Sequence, residues 1–200
     1  MLFMETILEE VSSAKPLRSK ASGSPDASSS YCPPIPANCQ FFTTTLRYAN
    51  PSAFANLQGC PLHPEIRGLV LFYDLGDAIL VQASVEGLSC SSAVCQNHFF
   101  AFHLHSGSSC AGTEREPFSL AGGHYNPEDC PHPSHAGDFP PLLCSHGIAW
   151  SAFLTDRFQI QDIINRTVIL HEDSDDFTSQ PAGNAGARIA CGVIYQVEEP

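Results

Sequence analysis

The sequence predicts an all-β domain, an antiparallel sandwich or barrel. Three observations carry this. Short runs of β-branched and aromatic residues recur from about residue 41 to the end of the chain. Fourteen glycines and sixteen prolines supply many turns and leave little room for long helices. Two stretches rich in Gly, Pro, Asp and His, 106–146 and 172–187, read as long loops between those runs.

Taken in order, residues 1–11 have the spacing of a short amphipathic helix. Residues 12–36, SSAKPLRSKASGSPDASSSYCPPIP, offer little to bury and read as a disordered linker. The expected organisation is therefore a disordered tail over 1–40 and one domain over 41–200. FFTTTLRYA (41–49) is β-branched and aromatic, and the pattern turns β-like from about here. IRGLVLFYDLGDAILVQASVEGL (66–88) holds two apolar runs around DLGD, the pattern of a hairpin. FFAFHLH (99–105), GIAWSAFL (147–154), RTVILH (166–171) and RIACGVIYQV (188–197) are four more strand candidates. FQIQDIINR (158–166) reads as a helical turn or irregular chain.

Composition narrows the function. Hydrophobic residues make up 43% of the 200, enough for a real core, and only 15% are charged. The formal net charge of −12 argues against nucleic acid, which requires a basic face. No apolar run is long enough to span a bilayer. The start, MLFMETILEEVSSAKPLRSK, lacks a basic leading region, and Glu9 and Glu10 interrupt its apolar residues, so it does not read as a secretory signal. Cytoplasmic is the default expectation, although nine cysteines suit an oxidising compartment. The odd count leaves at least one thiol unpaired within the chain.

The histidines are the informative residues. His103 and His105 lie two apart in a strand candidate, so both point to the same face and can meet one ion. His124, His132, His135 and Asp138 fall within fifteen residues of a Gly- and Pro-rich loop. Imidazole is the commonest ligand for zinc and copper, and a carboxylate can complete a tetrahedral zinc site. A lone histidine is more often a solvated or core residue. His63, His98 and His146 keep that reading, whereas two on one strand face plus a dense loop cluster do not.

At this point the chain resembles the copper/zinc superoxide dismutase family. The resemblance is carried by FHLH, by AGGHYNP followed by HPSHAGD, by TVILHEDSDD and by GNAGARIACGVI, in order, over about residues 102–194. HSGSSC and AGGH look like the bacterial branch, GNAGARIACGVI like the eukaryotic one.

The resemblance implies an eight-stranded antiparallel Greek-key barrel and two metals. Copper would be held by His103, His105, His124 and His171, and zinc by His124, His132, His135 and Asp138. His124 would bridge both metals and act with Arg188 in catalysis, Arg188 attracting the anion. Asp175 would hydrogen-bond to one ligand of each metal. Cys110 and Cys191 would form the family's disulfide. The implied substrate is superoxide, and a homodimer is an expected assembly. The alternative is a non-catalytic copper/zinc-binding domain of the same fold. An interaction protein whose Ser/Pro tail matters more than its metals is disfavoured by the complete ligand set.

Two departures stand out. The stretch DFTSQPA, residues 176–182, is short and carries no Lys, where eukaryotic relatives use a longer, charged loop to guide superoxide. Weaker steering and a shallow dependence on ionic strength are expected. Cys130 lies two residues before His132 and could replace a zinc ligand, pair with Cys144 or stay free; Cys90 with Cys95, and Cys32 with Cys39, could close small loops.

Overall fold

A computed structural model describes residues 37–90 and 98–198. The chain divides into two units at Phe41/Phe42, and all nine described strands lie in the second. The helix expected at 1–11, the linker at 12–36, Cys32 and Cys95 lie outside the described residues.

The strands are β1 (Ala53–Gly59), β2 (Arg67–Asp74), β3 (Ile79–Glu86), β4 (Phe99–Phe100), β5 (Phe102–His105), β6 (Leu142–Ser145), β7 (Ile148–Thr155), β8 (Thr167–His171) and β9 (Arg188–Gln196). The helices are α1 (Ala37–Tyr48) and the single turn α2 (Ile160–Ile163). All pairings are antiparallel, in the order β4-β6-β7-β3-β2-β1-β9-β8-β5. The two ends of this order are halves of one extended segment, 99–105, interrupted at Ala101. Phe99 and Phe100 pair with β6, while Phe102–His105 pair with β8. One segment thus closes the sheet into a barrel, and nine strands are counted where eight were expected.

Period-two burial fills the interior. Ala53, Ala55 and Leu57 of β1, Val81, Ala83 and Val85 of β3, and Phe102 and Leu104 of β5 all enter one core cluster. Strand β8 is buried at every residue because both its faces are covered. Val168 and Leu170 face the core. Ile169, on the opposite face, packs with Ala121 and Cys191 under the loop that carries Cys110 and Phe118.

The expectations need three corrections. Residues 41–49 are not a strand: 41–48 belong to α1. Strand propensity is a weak prior, and packing overrides it. Phe42, Thr45 and Leu46, at helical spacing, are the less exposed positions, while Thr44, Arg47 and Tyr48 face water. Leu46 packs on the outer face of the sheet against Leu71, Tyr73 and Leu80. Strands β1 and β6 were not foreseen. Strand β6 is four residues long and turns into β7 through His146 and Gly147, both with left-handed φ (53° and 83°), the geometry of a tight hairpin. Finally, Cys90 pairs with Cys144, across 54 residues, rather than with Cys95, and Cys130 keeps a free thiol, as does Cys60.

Candidate metal centre

The site lies on the outer face of β5 and β8, beneath the loops. Because Phe102 and Leu104 point into the core, alternation turns His103 and His105 the other way. Strand β8 pairs with β5 through His103↔Ile169 and His105↔Thr167, and it ends at His171, where the β8–β9 register shifts. The loop after β5 then folds back along the free edge of that strand. Ser106 N donates to Gly123 O (2.8 Å), Tyr125 N to Leu104 O (2.8 Å) and Leu104 N to Gly137 O (2.9 Å). These bonds set His124 opposite His105 and Asp138 opposite His103. Gly137 is required for this approach, since a Cβ there would run into the Leu104 carbonyl.

Two four-residue groups result: His103, His105, His124 and His171, and His124, His132, His135 and Asp138. Within each, the candidate ligand atoms all lie within 4.8 Å of one another. His124 belongs to both. Its Nδ1 lies 2.7 Å from Asp138 Oδ1 and 3.4 Å from His135 Nδ1, leaving Nε2 for the other group. His135 Nδ1 is 3.2 Å from the same Asp138 oxygen. A tetrahedral ion with bonds of about 2.0–2.1 Å has ligand–ligand edges of about 3.3 Å, which these separations bracket.

Each remaining imidazole is held by one nitrogen and presents the other. His103 Nε2 donates to Asp175 Oδ2 (2.8 Å) and His132 Nε2 to Asp175 Oδ1 (2.9 Å), so one buried carboxylate joins the two groups. His105 Nδ1 donates to Gly122 O (2.9 Å) and His171 Nδ1 to Gly186 O (3.4 Å). Their Nε2 atoms then face each other as two acceptors 3.3 Å apart, an arrangement that a cation between them relieves. His103 Nδ1, His124 Nε2 and His132 Nδ1 are buried without a hydrogen-bond partner among the described residues. His132 Nδ1 lies 3.1 Å from Asp138 Oδ2, but not in hydrogen-bonding alignment. Orphaned buried nitrogens are costly, and metal coordination is what satisfies them. The residues present therefore fit copper and zinc, the metals of the family.

The electrostatics agree. Burial pushes the His105 imidazole well below its usual range, reinforced by the neighbouring His171. Burial and the charge of His103 take His171 down to about 3. Burial lowers His103 too, against its bond to Asp175. Neutral imidazole is the form that binds metal. Burial alone would raise Asp138 and Asp175, but hydrogen bonds from His124 and the His135 amide, and from His103, the Phe177 amide and His132, outweigh it and keep both ionised.

Arg188 stands opposite His171 at the start of β9. It donates from Nη1 to Phe118 O (2.7 Å) and from Nη2 to Gly122 O (2.6 Å), the carbonyl that also accepts from His105 Nδ1. Cys110 is bonded to Cys191, which ties the covering loop to β9. Two residues that the sequence did not single out also reach this region: Gln180 and Arg157 bond to the backbones of His132 and His135. Neither carries a metal-ligand side chain, so nothing in residue type marked them.

Comparison with known proteins agrees with the geometry. Residues 66–194 match the family described as copper/zinc superoxide dismutase (SODC). The extracellular superoxide dismutase of Rattus norvegicus is 36% identical over 145 residues, covering 67% of this chain and 57% of that protein. The enzyme of Photobacterium leiognathi is 34% identical over 107 residues, 46% of this chain and 62% of that one. Superoxide dismutase A of Xenopus laevis is 32% identical over 146 residues, 65% of this chain and 89% of that one. The chain thus spans less than two thirds of the rat and Photobacterium proteins. In fold it is similar to the copper/zinc superoxide dismutase of Brucella abortus, with a TM-score of 0.59, 24% identity, and coverage of 70% of this chain and 98% of that one. With a family match covering most of the strand-bearing unit, this chain belongs to the copper/zinc superoxide dismutase family.

Proposed function

We propose that the chain is a superoxide dismutase: two superoxide anions and two protons become one dioxygen and one hydrogen peroxide. The observation that carries this reading is that His124 turns its two ring nitrogens toward two separate ligand groups. In this reading His103, His105, His124 and His171 hold copper, and His124, His132, His135 and Asp138 hold zinc. Bound copper supplies the one-electron oxidation and reduction of superoxide, which zinc cannot.

The chain's own residues do the rest. Arg188 keeps its charge at any physiological pH and attracts the anion. Its two carbonyl contacts fix the guanidinium, and one of those carbonyls, Gly122 O, also fixes His105. A fixed local cation matters here because the net charge of −12 repels superoxide at long range. At physiological salt that repulsion is screened beyond about 8 Å. His124 would carry the proton at Nε2, its Nδ1 being turned to the loop-borne group beside Asp138. Asp175 keeps His103 and His132 in the tautomer that presents Nδ1.

Metal content per chain, measured with superoxide consumption before and after copper loading, tests the reading. His171→Ala is expected to abolish copper binding and reduce activity at least 100-fold, on the order of an essential metal ligand, while zinc stays bound. A fully active His171→Ala protein, or a wild type that binds copper without dismutating superoxide, overturns it; the latter leaves a non-catalytic metal-binding domain.

A further inference from the structure

We propose that Gln180 and Arg157 are positioning residues for the loop-borne ligand group: they hold the backbones of His132 and His135, and so keep zinc bound. This rests on the zinc assignment above.

His132 sits in an irregular loop, where no neighbouring strand satisfies its main-chain groups. A strand residue receives one donor and one acceptor from its neighbour. Gln180 delivers the same pair from its side chain. His132 N donates to Gln180 Oε1 (3.0 Å), and Gln180 Nε2 donates to His132 O (2.7 Å). A primary amide carries the same donor–acceptor pair as a peptide group, so Gln180 stands in for the missing strand. With Nε2 bonded to Asp175, His132 is fixed at three atoms, and only Nδ1 is left over. Three fixed points define an orientation, so the ring cannot swing that nitrogen away.

Both grips come from one segment. Asp175 immediately precedes the Lys-free stretch 176–182, and Gln180 lies within it. Gly183, with φ of +65°, closes over them, and a Cβ there would strike Asp175 Oδ1 and crowd His132 Nε2. The segment thus clasps His132 by its backbone and its ring. Arg157 does for His135 what Gln180 does for His132: its Nη1 donates to His135 O at 3.0 Å, from beyond the end of β7. No such side-chain grip is needed by His103 or His105, whose backbones lie in a strand.

The test uses the full chain loaded with zinc and copper. Gln180→Met keeps the length of the side chain and removes both bonds; Gln180→Glu keeps the acceptor but sets an oxygen against the His132 carbonyl. Arg157→Met removes the other grip, and Arg157→Lys restores one donor. Zinc release to excess chelator is expected to quicken about tenfold or more in Gln180→Met, Gln180→Glu and Arg157→Met, the usual cost of losing support around a ligand. Arg157→Lys should recover most of the loss, and copper release should stay within about twofold of wild type in all four. With cobalt(II) in the zinc position, the visible absorption bands should change in the three weakened variants and return in Arg157→Lys.

Unchanged zinc release overturns the proposal. So does parallel acceleration of both metals alongside a lower melting temperature of the metal-free protein, the mark of general loosening. Should Gln180→Met fail to fold, the Arg157→Met and Arg157→Lys pair decides. A wild type that binds no zinc breaks the zinc assignment itself, whereas wild-type zinc binding with unaltered variants breaks only this inference.

Discussion

The strand-borne and loop-borne ligand groups use the same imidazole chemistry and are held in different ways. His103, His105 and His171 stand on β5 and β8, where main-chain ladders fix their spacing. His132, His135 and Asp138 stand in a loop, where side chains fix the backbone: Gln180 on His132, Arg157 on His135, and Asp138 Oδ2 on the His135 amide (2.9 Å). The first group takes its precision from the barrel and its core. The second takes it from a few polar contacts, each replaceable by a single mutation. Geometry built on a ladder should fail with the fold, and geometry built on side chains should fail locally.

The largest expected effect strikes the ladder. Leu170 is fully buried in β8, beside His171. Leu170→Ala should lower stability in denaturant by about 2–5 kcal/mol through the lost transfer energy and the cavity left behind. It should also speed copper release more than zinc release; equal acceleration of the two would erase the distinction drawn here. Next comes Asp175→Asn, which strikes both groups at their shared carboxylate. One of the two imidazole N–H groups would then face an amide NH₂ instead of an oxygen. Retention of both metals should fall by about 10- to 100-fold. Zinc should suffer more, because His103 keeps its ladder and His132 loses one of its three fixed points.

A last expected effect sharpens the comparison in the metal-free protein. His171 titrates near 3 when folded, against an unfolded value of 6.5. Between those values the unfolded chain binds a proton that the folded chain refuses. Stability is therefore complete above 6.5 and falls as the pH drops toward 3, by at most about 1.4 kcal/mol per pH unit for each such histidine. Denaturant midpoints between pH 8 and 4 would measure this, and a midpoint that rose on acidification would contradict the burial of the strand-borne group.

Much of the site was legible because its chemistry is spelled in rare residue types at fixed intervals. FHLH announces both a strand and its ligand-bearing face, since period two sends Phe102 and Leu104 one way and the imidazoles the other. The structure brings every residue quoted for the two ligand groups within reach of its fellows. What escaped was spelled in common letters. Gln180 and Arg157 act through carbonyl and amide groups that every residue possesses, so no spacing marks them. FFTTTLRYA has strand-forming composition, yet it lies in a helix because Leu46 finds Leu71, Tyr73 and Leu80 on the outside of the sheet. Strand β6, only LLCS, hides between two prolines and a turn whose His-Gly pair is not among the commonest hairpin signals. Cys90 and Cys144 are 54 residues apart, and only folding reveals that they are neighbours.

The break at Ala101 divides the closing segment unequally. Two residues hem it to β6 and four to β8, so the hem at Phe99 and Phe100 is the thinner one. Cys144 lies next to Leu143, the partner of Phe99, and its bond to Cys90 ties β6 covalently to the chain that leaves β3. The covalent tie thus backs up a hem of only two paired residues.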